Sequence, residues 1–376
     1  MEPVRAIGLM SGTSMDGIDA ALVETDGQGR ATCGPALMIP YEAAFRRRIE
    51  ASLTDAKAIT QRDQRPGDLE ALEREITDRH AAAVATLLGK AGLVPSDVAV
   101  IGFHGQTVLH RPQQSLTVQI GDGPRLAEMT GIDVVADMRA NDMAHGGQGA
   151  PLVPAWHAAL ARVLCDTGKA SWPVAFVNVG GISNITFVPE RGDPVAFDCG
   201  PGNALIDQWV QANAGVGYDD GGRIGSEGAI IREVLDAYLA HPFLDLPGPK
   251  SLDRNDFTLE AAGTMELADG ARTLAAVTAH AIHSSARHLD ALPASWILCG
   301  GGRRNANIVA ELTLLASAEG ACVIDSDDAG LDGDAMEAQA WAYLAVRSLR
   351  GLPLTWPSTT GVDRPLTGGK IFLGKR

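Results

Sequence analysis

The sequence predicts an α/β protein made of two similar halves. Each half opens with an apolar strand, a glycine-bearing turn and a returning strand, and then continues with alternating strand-like and helix-like segments. At 376 residues the chain is long enough for two domains that each bury a core. No linker rich in proline and serine separates the halves. We therefore expect two lobes packed around a cleft, an N-terminal lobe of residues 1–130 plus about 350–376 and a C-terminal lobe of about 131–349.

The first half contains apolar runs typical of buried strands and two stretches with helical periodicity. Its first two strands flank a polar turn and form a predicted hairpin, and its later strands end at His104 and Asp137. The predicted elements are strands at 6–10, 20–25, 98–103 and 132–136, and helices at 41–56 and 68–93.

The second half repeats this opening design. A buried strand is followed by the tight turn Gly180-Gly181 and a returning strand, and a third strand ends at Asp198. The predicted elements are strands at 174–179, 185–188, 196–197 and 296–299, and helices at about 203–214, 228–240, 268–290 and 334–350.

Composition and charge exclude several classes of protein. Hydrophobic residues make up 45% of the chain and charged residues 20%, as in ordinary globular proteins. The formal net charge is −15 and the longest basic run is Arg46-Arg47-Arg48, so the chain lacks the basic face of a nucleic-acid binder. Its first residues lack the basic start and long apolar region of a signal peptide, so we expect none, and no apolar stretch reaches the length of about 18 residues of a membrane span. We expect a cytoplasmic protein that binds neither nucleic acid nor membrane.

Common catalytic and metal-binding motifs are absent from the sequence. The five cysteines show no CxxC spacing, which argues against a zinc or thioredoxin-like site and favours buried thiols in a reducing compartment. There is no P-loop, HExxH, GxSxG or kinase HRD motif. The two early glycine turns each lead into a second strand and not into a helix, which excludes a Rossmann site.

Three polar turns after short apolar strands are candidates for nucleotide binding. In the first, small residues let main-chain amides approach a phosphate, and Asp16 and Asp19 suit a Mg²⁺ ion. The turn at Gly180 and Gly181 occupies the matching place in the second half, and the glycine triplet leaves room for a flat ring or ribose. For each turn, an ordinary hairpin or helix-entry turn is the alternative. The candidates are Gly12, Thr13, Ser14, Met15, Asp16, Gly17, Ile18 and Asp19, then Gly180 and Gly181, then Gly300, Gly301 and Gly302.

Other polar residues at strand ends are candidates for substrate chemistry. Asp198 ends a strand at the edge where α/β proteins bind ligands, which suits a general base. Asp137 and Asp142 flank Arg139, either as part of a site or as a surface ion-pair group. The run from His104 to Thr107 suits sugar hydroxyls, although a lone histidine is more often structural. Glu337 lies in a predicted helix, where a solvated face is the simpler interpretation.

Six stretches of the sequence together resemble the anhydro-N-acetylmuramic acid kinases. The opening signature covers residues 8–19, and five further stretches follow in family order over almost the whole chain. They are 102–107 (GFHGQT), 146–154 (GGQGAPLVP), 178–184 (NVGGISN), 197–203 (FDCGPGN) and 332–338 (DGDAMEA).

The resemblance implies a fold and a reaction. The fold is the two-lobed actin-like ATPase fold of the acetate and sugar kinase, Hsp70 and actin superfamily, with duplicated ribonuclease H-like domains and an ATP cleft between the lobes. The reaction opens the 1,6-anhydro bridge of 1,6-anhydro-N-acetylmuramic acid with water and phosphorylates O6, with ATP and Mg²⁺, during peptidoglycan recycling. The partners are therefore small molecules, and a homodimer is left open.

The resemblance also implies roles for single residues. Asp198 matches the catalytic aspartate that activates water, and Arg139 is expected to contact the sugar or its lactyl carboxylate. The further candidates for substrate binding are His104, Gln106, Gln148 and Glu337.

The sequence departs from the family pattern at a few places. Cys199 replaces the usual threonine, Met138 and Ala140 beside Arg139 replace bulkier or basic residues, and the run 249–254 (PKSLDR) differs at Leu252 and Asp253 from the family's Pro-Lys-Ser-Thr-Gly-Arg. Two alternatives to this activity are a kinase of the same fold acting on another sugar hydroxyl, and a nucleotide or sugar sensor without catalysis.

Overall fold

The chain folds into two compact units. The computed structural model describes residues 1–12, 14–253 and 255–375. The first unit comprises Met1–Val163 and Asp334–Arg376, and the second comprises Leu164–Gly333. Each unit contains one β-sheet and its own buried apolar core.

The first unit begins with a strand–turn–strand pair and alternates strands and helices from there. Its strands up to residue 163 are β1 (Val4–Ser11), β2 (Gly17–Thr25), β3 (Ala31–Pro40), β4 (Val100–Arg111), β5 (Leu116–Ile120) and β6 (Val134–Ala136). Its helices are α1 (Ala43–Ala56), α2 (Leu69–Ala91), α3 (Gly123–Thr130), α4 (Ala140–Ala144) and the start of α5 (Pro154–Asp166).

The second unit repeats the pattern. Its strands are β7 (Val174–Val179), β8 (Ile182–Val188), β9 (Val195–Pro201), β10 (Ser295–Cys299) and β11 (Cys322–Asp325). Its helices are α6 (Ala204–Ala214), α7 (Arg232–Leu239), α8 (Leu267–Ser284) and α9 (Ala306–Ala318). The chain then returns to the first unit with α10 (Met336–Leu349), α11 (Pro357–Thr360) and β12 (Lys370–Phe372).

The two sheets have equivalent topologies. The first has the order β12-β6-β4-β1-β2-β3, with β5 paired to β4, and the second has the order β11-β10-β7-β8-β9. In both, the first strand pairs antiparallel with the second and parallel with the strand after the crossover. This arrangement, with its antiparallel first three strands, is the ribonuclease H-like topology. The predicted α/β class with two similar halves is confirmed.

The division into units differs from the one expected from the sequence. Residues 131–163 and 334–349, expected in the C-terminal lobe, fold with the first unit. The reason is hydrogen bonding and close packing, since β6 pairs in parallel with β4 and α10 lies directly on the first sheet. A Cβ atom at Gly8 would lie 1.8 Å from the carbonyl oxygen of Ala338, and one at Gly102 would lie 2.0 Å from that of Trp341.

Some element limits also differ from the prediction. The helix expected at 228–240 begins at Arg232. Gly228 lies outside it and packs closely on α8, where a Cβ atom would lie 2.2 Å from the carbonyl oxygen of Ala268. The helix expected at 268–290 ends at Ser284. In the part of the chain that the structure describes, no helix is both long enough and apolar enough to cross a membrane.

Candidate active site

The first polar turn connects β1 to β2. The amide of Met15 donates to the carbonyl of Gly12 at 3.1 Å, and Met15 takes a φ of 54°, which side-chain-bearing residues rarely adopt. The hydroxyl of Ser14 donates to Oδ1 of Asp16 at 2.7 Å. Thr13, one of the residues expected to bind ATP, lies outside the described residues. The turn thus presents Ser14 and Asp16 at the surface.

Three of the residues expected to bind ATP lie within β2, and two of them, Gly17 and Ile18, have structural roles. The side chain of Ile18 is 1% exposed and belongs to the core of the first unit, so it faces away from any bound ligand. At Gly17 a Cβ atom would lie 2.5 Å from the carbonyl oxygen of Ile39, so close approach of β3 requires glycine there.

A buried hydrogen-bond network supports this turn from below. Ser11 donates to Oε1 of Gln106 at 2.6 Å and, having used its only hydrogen, accepts from the hydroxyl of Tyr41 at 3.0 Å. The side-chain amide of Gln106 then donates to the carbonyl of Gly12 at 3.1 Å. Gln106 is fully buried, so its polar groups hold the turn in place. The sequence suggested Gln106 as a sugar ligand, whereas Tyr41 was not singled out at all.

The two carboxylates of the turn fit a Mg²⁺ ion bound together with phosphate. Asp16 is exposed and Asp19 is half-buried. Both act on Tyr41, whose pKa burial raises to about 12, with a further increase from each carboxylate. Among the described residues no group of three His, Cys, Asp or Glu side chains could hold a metal alone. Mg²⁺ usually takes one or two carboxylates and completes its shell with water and phosphate oxygens, which is the donor set this turn offers.

Arg139 is held against β4 by a histidine and an aromatic ring. Its Nη2 donates to Nε2 of His104 at 3.2 Å, and its guanidinium lies 5.3 Å from the ring centroid of Trp341. The ring of His104 packs against the same tryptophan at a tilt of 43°, with centroids 4.6 Å apart. Burial lowers the pKa of Arg139 to about 10, opposed by Glu337 and Asp142, so the guanidinium is charged at neutral pH.

His104 is neutral in this arrangement. Burial and the nearby Arg139 charge hold the pKa of His104 well below its usual range. Because Nε2 accepts from Arg139, the ring proton is on Nδ1, which donates to the carbonyl of Gly105 at 2.7 Å. Both ring nitrogens are thus used within the protein, which argues against the expected contact from His104 to sugar hydroxyls.

Glu337 lies in the first turn of α10, near Arg139. Its side chain reaches solvent, but the surrounding protein desolvates it, and this raises its pKa. Arg139 opposes that increase and Asp16 adds to it. Glu337 is therefore coupled electrostatically to Arg139 and to Asp16, both far from it in the sequence and in the same unit. Expectations for Glu337 divided between a solvated helix face and a role in the site, and this coupling favours the site.

Asp142 anchors the glycine-rich loop that follows Arg139. Its Oδ2 accepts from the amide of Gly149 at 2.7 Å and its Oδ1 accepts from the hydroxyl of Thr360 at 2.6 Å. The carbonyl of Gly149 in turn accepts from Nη1 of Arg139 at 2.8 Å. Gln148 in this loop is half-buried, and its amide donates to the carbonyl of Thr360 at 2.9 Å. Asp142 is thus a buried support of the loop.

Asp137, on the other side of Arg139, has a different environment. It forms ion pairs with Arg62 and with Lys370, the latter at 3.3 Å. Its φ of 60° is unusual for a residue with a side chain. The sequence left open whether Asp137 is part of a site or of a surface ion-pair group, and these contacts match the ion-pair group.

In the second unit, the turn at Gly180 and Gly181 packs against the start of α6. The amides of Gly202 and Asn203 donate to the carbonyls of Gly181 and Gly180 at 2.9 and 2.7 Å. A Cβ atom at Gly202 would lie 2.2 Å from the carbonyl oxygen of Gly180. The amide of Gly180 donates to the carbonyl of Ile182 at 3.1 Å, so this amide is already used within the turn. Gly181 is exposed and is the member of the pair most accessible to a ligand.

The glycine triplet follows β10 and lies next to β7. A Cβ atom at Gly300 would lie 2.3 Å from Oδ1 of Asn178, and one at Gly302 would lie 2.2 Å from Cγ1 of Val179. A Cβ atom at Gly301, in contrast, would meet no atom within 4 Å. The outer glycines are therefore required by packing, and Gly301 leaves the main chain open to a flat ligand.

Asp198 lies in β9, and its carboxylate is oriented by the main chain. Oδ2 accepts from the amide of Leu252 at 2.8 Å, and the amide of Asp198 donates to the carbonyl of Lys250 at 3.0 Å. Among the described residues, Oδ1 has no hydrogen-bond partner. Burial raises the pKa of Asp198, opposed by the Leu252 amide and by the charge of Lys250. A half-buried carboxylate whose one oxygen is fixed by a main-chain amide suits a general base.

Two departures from the family pattern are explained by these contacts. Leu252 reaches Asp198 through its amide, which any residue except proline supplies, and its side chain packs in the core of the second unit. Cys199 is 1% exposed, with its Sγ 3.5 Å from the hydroxyl of Ser285. Neither replacement removes a group that contacts the carboxylate.

Comparisons with known proteins identify the family of the chain. The family model for anhydro-N-acetylmuramic acid kinase matches residues 4–374. The anhydro-N-acetylmuramic acid kinase of Brucella canis is 57% identical over 97% of both chains, and that of Agrobacterium fabrum is 55% identical over 98% of this chain and 99% of its own. A ROK family glucokinase from Streptomyces griseus, solved with glucose and AMPPNP, aligns with a TM-score of 0.41 and 16% identity over 91% of this chain and 99% of that chain. The match over nearly the full length with close relatives shows that this chain belongs to the anhydro-N-acetylmuramic acid kinase family.

Proposed function

We propose that this kinase uses the carboxylate of Asp198 as the general base of its reaction. The kinase consumes 1,6-anhydro-N-acetylmuramic acid, water and ATP, and yields N-acetylmuramic acid 6-phosphate and ADP in cell-wall recycling. The observation that supports the base most directly is the fixed orientation of Asp198, with Oδ2 held by the Leu252 amide at 2.8 Å.

The first part of the chemistry is the attack of water on the anomeric carbon. Asp198 takes a proton from water while the water oxygen bonds to C1 and the C1–O6 bond breaks, as in inverting glycoside hydrolysis. Burial strengthens Asp198 as a base because it raises the pKa of the carboxyl. The bond electrons go to O6, so no separate acid is needed if O6 bonds to phosphorus as it leaves C1.

The second part is the transfer of the γ-phosphoryl group from ATP to O6, with ADP leaving. Phosphoryl transfer depends mainly on positioning and on neutralising charge. Ser14, Asp16 and Gly181 are accessible at their turns, and Gly301 leaves the main chain free to contact the nucleotide. Asp16 and Asp19 would hold Mg²⁺, which supplies neutralisation of phosphate charge when bound.

Arg139 is the proposed partner of the substrate carboxylate. Its guanidinium carries a charge and is held by His104 and by the Gly149 carbonyl, so it is already ordered before a ligand binds. An ordered guanidinium forms charge-assisted hydrogen bonds to a carboxylate with a small entropic cost. The lactyl carboxylate distinguishes this substrate from an ordinary hexose, so this contact would provide specificity.

One incubation tests the proposal. The enzyme is supplied with ATP, Mg²⁺, the anhydro sugar and ¹⁸O-labelled water, and the product is examined by mass spectrometry and NMR. We expect ¹⁸O at C1 and phosphate on O6. Phosphorylation without ¹⁸O would instead indicate a kinase for an ordinary hydroxyl, and the absence of product would indicate a sensor.

A single variant tests the assignment of Asp198 as the general base. D198N keeps the size of the side chain but cannot accept a proton from water. We expect it to lower turnover by at least about 10³-fold and to leave the affinity for ATP largely unchanged. Full ¹⁸O incorporation by D198N would assign the base to another residue.

A further inference from the structure

The segment of residues 248–252, here called the positioning segment, bonds to Asp198 at two points. Its Lys250 carbonyl accepts from the Asp198 amide at 3.0 Å, and its Leu252 amide donates to the Asp198 carboxylate at 2.8 Å. One contact fixes the main chain of Asp198 and the other fixes its side chain. The direction of the carboxylate therefore depends on where this segment lies.

The first residue of the positioning segment packs on the neighbour of Asp198. A Cβ atom at Gly248 would lie 2.5 Å from Cδ1 of Phe197 and 3.0 Å from Cγ of the same ring. Phe197 is 4% exposed and belongs to the core of the second unit, so its ring has little room to move. The segment therefore sits as close to β9 as its main chain allows, and a side chain at position 248 would push it away.

Lys250 anchors the middle of the segment. Its ammonium donates to the carbonyls of Phe243 and Leu244 at 3.0 and 3.4 Å. It also lies 4.6 Å from the ring centroid of Phe243 and 5.6 Å from that of Phe197. The side chain thus ties the positioning segment to the 242–245 turn on one side and to the strand of Asp198 on the other.

We infer that Lys250 is a positioning residue for the reaction: by anchoring the positioning segment to Phe243, Leu244 and the ring of Phe197, it fixes the direction of the Asp198 carboxylate. This inference rests on the proposed role of Asp198 as the base. Lys250 acts through Asp198 and does not itself take part in the bond changes. An error of about 1 Å in the position of a reacting group can lower a rate by about 10²-fold, so this anchoring has a measurable effect on turnover.

The charge of Lys250 gives a second, independent way to detect its role. It lowers the pKa of Asp198, against the increase from burial. Among the described residues, the other charged or titratable groups near this pair are Asp245, Arg287, His288 and Cys199. From the packed helix α8, His280 and His283 pair with Glu311 and Glu319, and β8 carries no titratable side chain. Removing the ammonium should therefore raise the pKa of Asp198.

The test compares three variants of the full chain. K250M keeps much of the packing but removes the donor and the charge, K250R keeps both, and K169M is the matched control. Lys169 also donates to a main-chain carbonyl, that of Ala329 at 2.8 Å, in the same unit. We expect K250M to lower kcat by about 10²-fold with the KM for ATP within about twofold, K250R to recover most of the loss, and K169M to match the wild type.

A readout without substrate separates this inference from the proposed function. The carboxyl carbon of Asp198 is titrated by NMR in protein labelled with ¹³C at aspartate, with D198N to assign the signal. We expect the midpoint to move to higher pH in K250M and to return in K250R. Wild-type kcat together with an unchanged midpoint in K250M would overturn the role of Lys250. Full turnover by D198N would overturn the base assignment, while the titration would still report on Lys250.

G248A perturbs the segment without changing any charge. The added methyl group would push the segment away from Phe197, so we expect kcat to fall by at least about tenfold with the KM for ATP maintained. If K250M does not fold, G248A still tests whether the position of the segment controls Asp198. Wild-type kcat in G248A would show that the position of the segment does not control Asp198.

Discussion

The guanidinium of Arg139 donates a hydrogen bond to Nε2 of His104 at 3.2 Å. The ring proton of His104 is used at the other nitrogen, toward the carbonyl of Gly105, so the histidine is a neutral acceptor. Trp341 contacts both groups from α10. His104 therefore orients the guanidinium of Arg139, the group proposed to bind the substrate carboxylate.

Replacing His104 should affect the sugar much more than ATP. H104L removes the acceptor, and a hydrogen bond to a charged group contributes about 1.5–3 kcal/mol, so we expect the KM for the anhydro sugar to rise about 10- to 100-fold. H104Q places an oxygen near the position of Nε2 and should stay within about fivefold of the wild type. Steady-state kinetics with each substrate varied in turn gives both values. A larger change in the KM for ATP than for the sugar would contradict this role.

The pH dependence of the rate should reflect the protonation of Asp198 and not that of His104. The base must be ionised, so kcat/KM falls as the pH falls through the pKa of Asp198, which burial raises above its ordinary value of 3.8. Because the pKa of His104 lies well below 6.5, protonation of His104 contributes no decrease near pH 6.5. A pH profile of kcat/KM with the anhydro sugar measures the acidic limb. A midpoint at or below 3.8 would be inconsistent with Asp198 as the base.

Much of the fold was predictable because it depends on local patterns. Short apolar runs around glycines predict the strand–turn–strand pairs at the start of each half, and the structure has these pairs at β1–β2 and β7–β8. The edge strand β3 was missed, since Gly34 and Pro35 interrupt it and none of its residues is fully buried. The assignment of residues 334–349 to the first unit depends on the contact of Gly8 with Ala338, which no local pattern reveals.

The sequence singles out the candidate residues of the site, but it does not reveal their contacts. The polar turn after β1 pointed to Asp16, which the structure has in that turn, whereas Asp198 was expected at a strand end and lies within β9, which continues to Pro201. The roles of Gln106 and His104 depend on partners 94 and 35 residues away, at Gly12 and Arg139. Such pairings are decided by tertiary packing, and residue type alone does not distinguish a support from a ligand contact.

A single methyl group added at the contact between β1 and α10 should strongly lower the free energy of unfolding. A Cβ atom at Gly8 would lie 1.8 Å from a main-chain oxygen of α10, so the helix must move. We expect G8A to lower the free energy of unfolding by about 3 kcal/mol. The matched control is G89A, since a Cβ atom at this exposed helical glycine meets nothing within 4 Å. G89A should raise stability by about 0.5–1 kcal/mol. Urea unfolding measures both, and equal effects would refute the close packing at Gly8.

Burial of His80 should make the folded protein less stable in acid. His80 is fully buried on α2, its Nδ1 bonds to the carbonyl of Ile76 at 2.7 Å, and its Nε2 has no hydrogen-bond partner. Burial lowers the pKa of His80 from 6.5 to about 4. The unfolded chain therefore binds a proton below about pH 6.5 that the folded chain does not bind until about pH 4, and stability falls with pH across this window.

The size of this effect follows from the two pKa values of His80. Between about pH 7.5 and pH 5 the lost free energy of unfolding is about 2 kcal/mol for this one side chain. H80L removes the titration, so its loss of stability over the same range should be smaller than that of the wild type by about this amount. H145L, which replaces an exposed histidine of the same unit, is the control and should follow the wild type. Urea unfolding at several pH values measures the slopes, and parallel curves for H80L and the wild type would mean that His80 is protonated in the folded protein.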